Sequence, residues 1–246
     1  MNAMRVPPSV AVTGACGRIG RALVERLAAH RYPLTLVDRP GSGLEAMAVL
    51  GAIVELDLAK QPPAGLFEGV EVVVHLAGEA RQDASWDRLL PDNIEATYHV
   101  ACAAMRAGCR RLIVASSVHA VSATAHRPVG PNDPVAPSDL YGVTKCFVEA
   151  LAFWCAHRKP MSAAAVRIGA FQTVEASQQS GAEWMADTFI AAPDLVALLE
   201  RAIGAQYHFA VLHAAAPGRN VLLDTRATED LLGWSAEHRF LPASDR

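Results

Sequence analysis

The hydrophobic positions of the chain fall into short runs that are rich in valine, isoleucine and leucine. Seven such runs follow one another: SVAVTGA, PLTLVD, AIVELDL, EVVVHLAG, RLIVASS, AAAVRIG and FAVLHAA. Strands of a parallel sheet that is covered on both faces have this composition, because neither face needs polar side chains. We therefore predict a buried β-strand at each run.

Longer segments with helical spacing separate several of the runs: RIGRALVERLAAH, NIEATYHVACAAMRAG and DLYGVTKCFVEALAFWCAH. Alternation of strand and helix predicts an α/β fold with a doubly wound parallel sheet of the Rossmann type and helices on both faces. Pro91 suits the first turn of the second helix, and Gly108 suits its C-terminal end. Residues 169–192 show no clear period, which is typical of a segment that lines a cleft.

Composition narrows the classes of function. The 246 residues carry a formal charge of −3 without any run of lysine or arginine, so they show no electrostatic footprint for nucleic acid or a membrane surface. The beginning of the chain lacks a signal-peptide pattern, and no apolar run is long enough to span a bilayer, so we expect a soluble, cytoplasmic protein. Five cysteines without a C-x-x-C pair predict neither a disulfide framework nor a metal site.

The first strand runs into TGACGRIG, which places Gly14, Gly17 and Gly20 where a strand turns into a helix. Glycines at such a turn let the backbone approach a pyrophosphate, and the helix N-terminus supplies N–H groups. Asp38 ends the second strand and could accept hydrogen bonds from both hydroxyls of an adenosine ribose. The pattern predicts NAD as cofactor, while the neighbouring Arg39 leaves NADP open. The alternative is a tight structural turn followed by a surface aspartate.

Later strands add to this predicted nucleotide site. Asp57 could reach the adenine amino group, or it could be a solvated carboxylate at the end of a strand. His75 is predicted to be a core histidine rather than a catalytic residue. The predicted cofactor-binding residues are Gly14, Cys16, Gly17, Arg18, Ile19, Gly20, Asp38, Arg39, Asp57, Leu58, Leu76, Ala77, Gly78, Ser116, Tyr141, Lys145 and Ile168. We predict a nucleotide-binding domain over residues 1–168. A small substrate-binding part over 169–246 would return one strand to the sheet within a single compact unit.

Tyr141 and Lys145 stand one helical turn apart and so share a helix face. Removal of a hydroxyl proton by tyrosine needs a lowered phenol pKa, which a nearby ammonium group and a positively charged nicotinamide would favour. Ser116 and Ser117, at the end of the fifth strand, could hold the reacting oxygen. Taken alone, the pair could be an ordinary helix-surface pair. Asn93 is either a first-turn polar residue or a proton-relay group that binds water beneath the lysine.

Taken together, TGACGRIG, LVDR, HLAG, DNIEAT, ASS, YGVTK and VRIG resemble an extended short-chain dehydrogenase/reductase of the NAD-dependent epimerase/dehydratase superfamily. More narrowly, ASSVHAV, PSDLYGVTKCFVEALA, AVRIGAF and LLGW resemble the uronate dehydrogenases. That resemblance implies oxidation of a sugar hemiacetal with NAD, and a homodimer. It also implies that Tyr141 is the base, that Lys145 holds the nicotinamide ribose, and that Ser117 orients the substrate. His119 matches a substrate-contacting histidine, or else is a structural strand-end histidine.

The chain departs from that family at the substrate end. Val118 stands where the family has asparagine, and Ala170, at a substrate-binding position, stands where it has serine. Residues 171–200 contain no lysine or arginine, and Trp184 stands near the place of the arginine that grips the uronate carboxylate. A carboxylate in a dry pocket needs such a partner. Residues that could replace the arginine are Arg81, Arg88 and Arg127.

These departures leave the substrate open between a uronate and a neutral sugar or other alcohol. One rival function is a sugar-nucleotide epimerase or dehydratase, although Val118 and His119 replace the acidic pair that is usual in dehydratases. The other rival is a non-catalytic NAD-binding sensor, which often lacks the tyrosine or the lysine.

Overall fold

The computed structural model describes residues 6–125, 127–158, 160–179, 181–218 and 221–241. Seven strands form one parallel sheet in the order β3-β2-β1-β4-β5-β6-β9. They are β1 (Val10–Thr13), β2 (Leu34–Asp38), β3 (Ala52–Glu55), β4 (Val72–His75), β5 (Arg111–Ser117), β6 (Ser162–Ile168) and β9 (Phe209–Ala214). All seven predicted strands and the doubly wound sheet are confirmed.

Helices cover both faces of the sheet. Helices α1 (Arg18–Ala29) and α6 (Ala192–Gly204) pack on one face, and α3 (Ala96–Ala107) and α4 (Leu140–Arg158) pack on the other. The shorter helices are α2 (Trp86–Leu89), α5 (Val174–Ser177) and α7 (Arg226–Leu232). Within the described ranges, no helix combines the length and the hydropathy needed to cross a bilayer.

The helical stretch that carries Pro91 begins earlier than predicted. It starts at Trp86, passes through a π-helical turn at Leu90–Glu95 and continues as α3. Pro91 stands in the first turn of the π-helical segment, as predicted, but α2 precedes that segment, and the wide turn accommodates a residue without an N–H to donate. Gly108 ends α3 with a φ of 72°, as predicted.

Part of the segment 169–192, which shows no clear period in the sequence, lies in the hydrophobic core. Strand β7 (Ala170–Gln172) pairs in parallel with β8 (Phe189–Ala191), and Phe189 and Ile190 are fully buried. The expectation of a cleft-lining segment outside the core was wrong for β8, because strands of three residues are too short to show a period. Strand β9 joins the main sheet from beyond residue 168.

The outer surfaces of α3 and α4 expose large apolar side chains, among them Tyr98, Val143 and Trp154. Helix α4 is apolar around most of its circumference, a pattern typical of helices that are covered on more than one side. The homodimer through these helices stays a prediction.

Two histidines are buried in the sheet and its coverings. The His75 ring lies between the hydroxyls of Thr13 and Thr97, at 2.7 and 3.1 Å, which gives it the satisfied core position expected from the sequence. Burial, together with the charge of Lys145, lowers the pKa of His75 to about 3. Burial is also the main cause that lowers the pKa of His213 to about 4.

We expect the free energy of unfolding to fall by about 3 kcal/mol or more between pH 6.5 and 4. Both histidines have folded pKa values below the usual value of 6.5, so the unfolded chain binds more protons in this window. The stabilisation is therefore complete above pH 6.5 and is lost as the pH falls. Urea unfolding at pH 7.5, 6 and 5 measures this slope.

The His213→Gln variant should flatten the slope, while replacement of the exposed His157 by glutamine serves as the matched control. An unchanged slope in His213→Gln would contradict the assignment to His213.

Candidate active site

The carboxyl ends of β1, β2, β3 and β4 line a cleft of about 320 Å³. Predicted cofactor-binding residues that line it are Gly14, Cys16, Gly17, Asp38, Arg39, Asp57, Leu58, Leu76, Ala77 and Gly78. Lining residues that the sequence reasoning missed are Ser42, Leu56, Ala59, Asp92 and Ala96. They lie within a few residues of predicted positions, in loops and in the helix start, where no residue pattern marks which side chain faces the cleft.

The glycine turn has the shape that a diphosphate needs. Gly14 has a φ of 70°, and a Cβ atom there would lie 2.6 Å from the Ala77 nitrogen. A Cβ atom on Gly20 would collide with the Gly14 carbonyl. Gly17 occupies the N-cap of α1 without a side chain, so the first-turn N–H groups stay open to an anion. The turn therefore fits the diphosphate of a dinucleotide.

Asp38 holds the turn and faces the cleft at the same time. Its carboxylate accepts hydrogen bonds from the N–H groups of Cys16 and Arg39, each at 2.8 Å. The Arg39 guanidinium lies 3.8 Å from the Asp92 carboxylate. The negative charges of Asp38 and Asp92 at this end of the cleft favour a ribose with free hydroxyls over one with a 2′-phosphate.

Seven of the predicted cofactor residues are not among those that line this cleft: Arg18, Ile19, Gly20, Ser116, Tyr141, Lys145 and Ile168. The Arg18 guanidinium donates to the Phe171 carbonyl at 3.2 Å and to Gln172 Oε1 at 2.7 Å, and Ile19 and Ile168 pack into the core. Gly20 is buried under the turn. Arg18 and Ile19 can offer a cofactor their backbone N–H groups.

Helix α4 and the end of β5 bring the predicted catalytic residues together. Ser117 lies near enough to Tyr141 to lower the pKa of its phenol, and the Lys145 ammonium lies 5.4 Å from the centre of the Tyr141 ring. Gly142 permits this close approach, because a Cβ atom there would collide with the His119 carbonyl oxygen. The three residues therefore lie together at the carboxyl end of β5, the strand next to β4, whose following residues Leu76, Ala77 and Gly78 line the cleft.

The electrostatics of Tyr141 differ from the expectation. Burial raises the pKa of Tyr141 to about 12, the Ser117 hydrogen bond opposes this, and the carboxylates of Asp139 and Glu79 raise it further. Burial lowers the pKa of Lys145 to about 8, and its ammonium donates to the Ala115 carbonyl at 2.9 Å. The lysine therefore does not give the phenol a lowered pKa in the protein alone, because desolvation is the larger effect.

Ser116 lies apart from this group. Side chains alternate along a strand, and the Ser116 hydroxyl points at Glu149, to whose carboxylate it donates at 2.6 Å. Glu149 also receives two hydrogen bonds from the Arg167 guanidinium, each at 2.9 Å. The Ser116 hydroxyl is therefore engaged with Glu149 rather than with Tyr141, and the binding of a cofactor by Ser116 stays a prediction.

Asn93 is buried and fully engaged with protein. Its Oδ1 accepts the Glu79 N–H at 2.7 Å, and its Nδ2 donates to the Glu79 carbonyl at 3.1 Å and to Thr144 Oγ1 at 3.0 Å. The side chain thereby joins the loop after β4 to the helix of Tyr141 and Lys145. Its role in a proton relay stays a prediction.

The substrate end contains His119, Asp139 and Ala170. His119 Nδ1 lies 2.7 Å from Asp139 Oδ2, and its ring meets the Tyr141 ring edge-on at 5.4 Å between centroids. Ala170 is half-buried in β7. Trp184, near the expected place of the uronate-gripping arginine, is 69% exposed.

The three arginines that could replace that arginine all pair with carboxylates. Arg81 lies 3.8 Å from both Glu79 and Asp83, and Arg88 lies 3.0 Å from Asp92. Arg127 bonds Asp187 at 2.7 Å. A uronate carboxylate would have to compete with these existing ion pairs.

A model of the NAD-dependent epimerase/dehydratase family matches residues 10–192. The chain belongs to this family. Among individual members, an L-arabinose 1-dehydrogenase (NAD(P)(+)) from Haloferax volcanii is 37% identical over 179 residues, which cover 68% of each chain. A uronate dehydrogenase from Pseudomonas putida is 29% identical over 222 residues, which cover 87% of this chain and 79% of that enzyme.

A solved family structure supports the same placement. The uronate dehydrogenase from Agrobacterium tumefaciens superposes with a TM-score of 0.78 at 28% identity, over 98% of this chain and 87% of that one. The resemblance drawn from the sequence is therefore confirmed at the level of the family. The relatives include enzymes named for a neutral pentose as well as enzymes named for uronates.

Proposed function

We propose that this protein is an NAD-dependent dehydrogenase that oxidises the anomeric hydroxyl of an uncharged aldose. The observation that carries the proposal is that Ser117, Tyr141 and Lys145 lie together at the same carboxyl edge of the sheet as the cleft with the glycine turn and Asp38. Acid–base and nucleotide-binding groups on one sheet edge are the arrangement that hydride transfer from an alcohol needs.

Each residue has a distinct part in the proposed reaction. The first-turn N–H groups of α1 hold the diphosphate, and Asp38 accepts the ribose hydroxyls. NAD bound in the cleft supplies the hydride acceptor. Ser117 donates a hydrogen bond to the reacting oxygen, Tyr141 takes the hydroxyl proton, and the Lys145 ammonium would favour the phenolate together with the positive charge that the nicotinamide of NAD brings.

The substrate class follows from the charges around Tyr141. The carboxylates of Glu79 and Asp139 both act on the phenol, and Val118 and Ala170 replace polar residues of the uronate dehydrogenases. A hexuronate would bring a further negative charge toward these groups, which costs free energy without a cationic partner. An uncharged aldose meets no such penalty, and a relative is named for a neutral pentose.

The experiment follows NADH absorbance with purified protein and NAD across pentoses, neutral hexoses, glucuronate and galacturonate, with NADP as the cofactor control. We expect turnover of at least one neutral aldose, with the highest kcat/KM in that class and with NAD preferred. A higher kcat/KM for a uronate would contradict the proposed substrate class but would agree with the proposed dehydrogenase activity. Tight NAD binding without turnover of any sugar would contradict the dehydrogenase and favour the epimerase or the sensor.

A further inference from the structure

A second groove lies at the amino ends of β5, β6 and β9, on the edge of the sheet opposite to Tyr141. Its volume is about 370 Å³, which is within the range of small-molecule sites. Within the described ranges, no aspartate or glutamate lines this amino-edge groove, so its charged side chains are those of two arginines. The polar residues that line it are Arg110, Arg111, Ser162, Gln206, Tyr207 and His208.

Arg111 is the buried cation of the groove. Only 3% of its surface is exposed, and its guanidinium carbon lies 4.3 Å from the centre of the Tyr207 ring. Its Nε donates to Ser162 Oγ at 2.8 Å, and its Nη1 donates to the carbonyls of Ala202 and Ile203 at 3.0 and 2.5 Å. These contacts fix the guanidinium at the C-terminal end of α6.

The third nitrogen of Arg111 remains available to a ligand. Within the described ranges Nη2 donates to no acceptor, and it is not among the side-chain atoms there that are both buried and unpaired. It therefore reaches the surface of the groove with two unused N–H groups. No carboxylate of the described residues lies within ion-pair distance of this guanidinium, and the carbonyls of α6 offset only part of its charge.

Three exposed residues add further hydrogen-bond donors to the groove. The Arg110 guanidinium lies 3.2 Å from the surface carboxylate of Glu71. The side chains of Gln206 and His208 form no hydrogen bond within the described ranges, and the His208 ring only contacts the His157 ring, at 5.2 Å between centroids. A fixed guanidinium beside exposed donors suits an oxyanion that has several acceptor oxygens.

We propose that the amino-edge groove binds a phosphate group and that Arg111 Nη2 is its central donor. Phosphate oxygens accept the N–H groups of a guanidinium in charge-assisted hydrogen bonds, and Arg110 supplies a second positive charge. The groove leaves room beside a phosphate ion, so the group could belong to free phosphate or to a phosphate monoester. This site goes beyond the proposed function, because it lies at the edge of the sheet away from the dehydrogenase cleft.

Calorimetric titration of the wild-type protein with inorganic phosphate measures the binding. The protein is first saturated with NAD, because the glycine turn at the N-terminus of α1 is itself suited to an anion. At constant ionic strength we expect saturable binding of a single phosphate, and no binding of glycerol. Glycerol 3-phosphate distinguishes the two sources: tighter binding than that of inorganic phosphate assigns the groove to a phosphate ester, and weaker binding assigns it to the free ion.

The Arg111→Met variant removes the charge and keeps a long side chain. We expect the Kd for phosphate to rise at least about 10-fold, the factor that corresponds to one lost charge-assisted hydrogen bond. The exposed variant Arg110→Gln should raise the Kd about 3-fold. Glu71→Gln releases Arg110 from its carboxylate and should lower the Kd about 2-fold. Arg226→Gln is the matched control, because it removes an exposed arginine outside the groove and should leave the Kd unchanged.

Thermal unfolding shows whether Arg111→Met folds, and if it does not, Arg110→Gln and Glu71→Gln decide the question. Absence of saturable phosphate binding by the NAD-saturated wild type would overturn the proposal. An unchanged Kd in both Arg110→Gln and Glu71→Gln, or in a folded Arg111→Met, would overturn it as well. The titrations do not depend on sugar turnover, so failure of the proposed dehydrogenase activity would leave the phosphate site intact.

Discussion

The Tyr141→Phe variant should lose about 10²- to 10⁴-fold in kcat, the range that general acid–base groups contribute. Phenylalanine keeps the ring that packs against Ala84 and Leu89 and removes only the hydroxyl that we propose exchanges a proton with the substrate. Binding of NAD should change little, since the glycine turn and Asp38, which we propose hold the diphosphate and ribose, line a cleft to which Tyr141 does not contribute. Steady-state kinetics with the best aldose, together with an NAD titration, measure both quantities.

The Tyr98→Phe variant is the matched control, because it removes a phenol hydroxyl from an exposed position on α3. Its kcat should equal that of the wild type. A Tyr141→Phe enzyme that retains full turnover would refute the role of Tyr141 as the base. A parallel loss of NAD binding would show that the substitution disturbed the fold of the cleft rather than the proton transfer.

The second large effect concerns the ion pair beneath the active site. Glu149 and Arg167 are buried and joined by two hydrogen bonds, and the pair also receives the Ser116 hydroxyl. We expect Glu149→Gln to lower the free energy of unfolding by about 3 to 5 kcal/mol, because it leaves the Arg167 charge buried without a counter-charge. Urea unfolding at neutral pH measures the loss.

The double variant Glu149→Leu with Arg167→Met replaces both residues by apolar ones. It should lower the free energy of unfolding less than Glu149→Gln alone does, since no charge is then left buried without a partner. Glu71→Gln is the control, because Glu71 pairs with Arg110 at 3.2 Å on the surface. This substitution should lower the free energy of unfolding by about 1 kcal/mol or less. A loss in Glu149→Gln no greater than in this control would contradict the importance of burial.

This ion pair also connects the two elements that hold the proposed catalytic residues. Glu149 lies one helical turn after Lys145, and Arg167 is the register partner of Ser116 on the neighbouring strand. The pair therefore joins the helix of Tyr141 and Lys145 to the strand that ends in Ser117. A variant that weakens the Glu149–Arg167 ion pair should therefore reduce kcat more than it reduces the affinity for NAD.

The sequence by itself determined the strands, the doubly wound sheet and the family. Hydrophobic runs report burial on both faces of a strand, and the glycine turn, Asp38 and the Tyr141–Lys145 spacing are local patterns that need no knowledge of distant contacts. The edge of the sheet at which the cleft lies follows from such patterns, because parallel strands bring their carboxyl ends to one edge.

Only the tertiary structure decided which way individual side chains point and what charges surround them. Ser116 and Ser117 are neighbours in sequence, yet the Ser116 hydroxyl bonds Glu149 and the Ser117 side chain lies near Tyr141, about two turns away on the same helix. The raised pKa of Tyr141 and the pairing of His119 with Asp139 depend on burial and on residues twenty positions apart. Burial and long-range electrostatics are properties of the packed chain, so no local pattern encodes them.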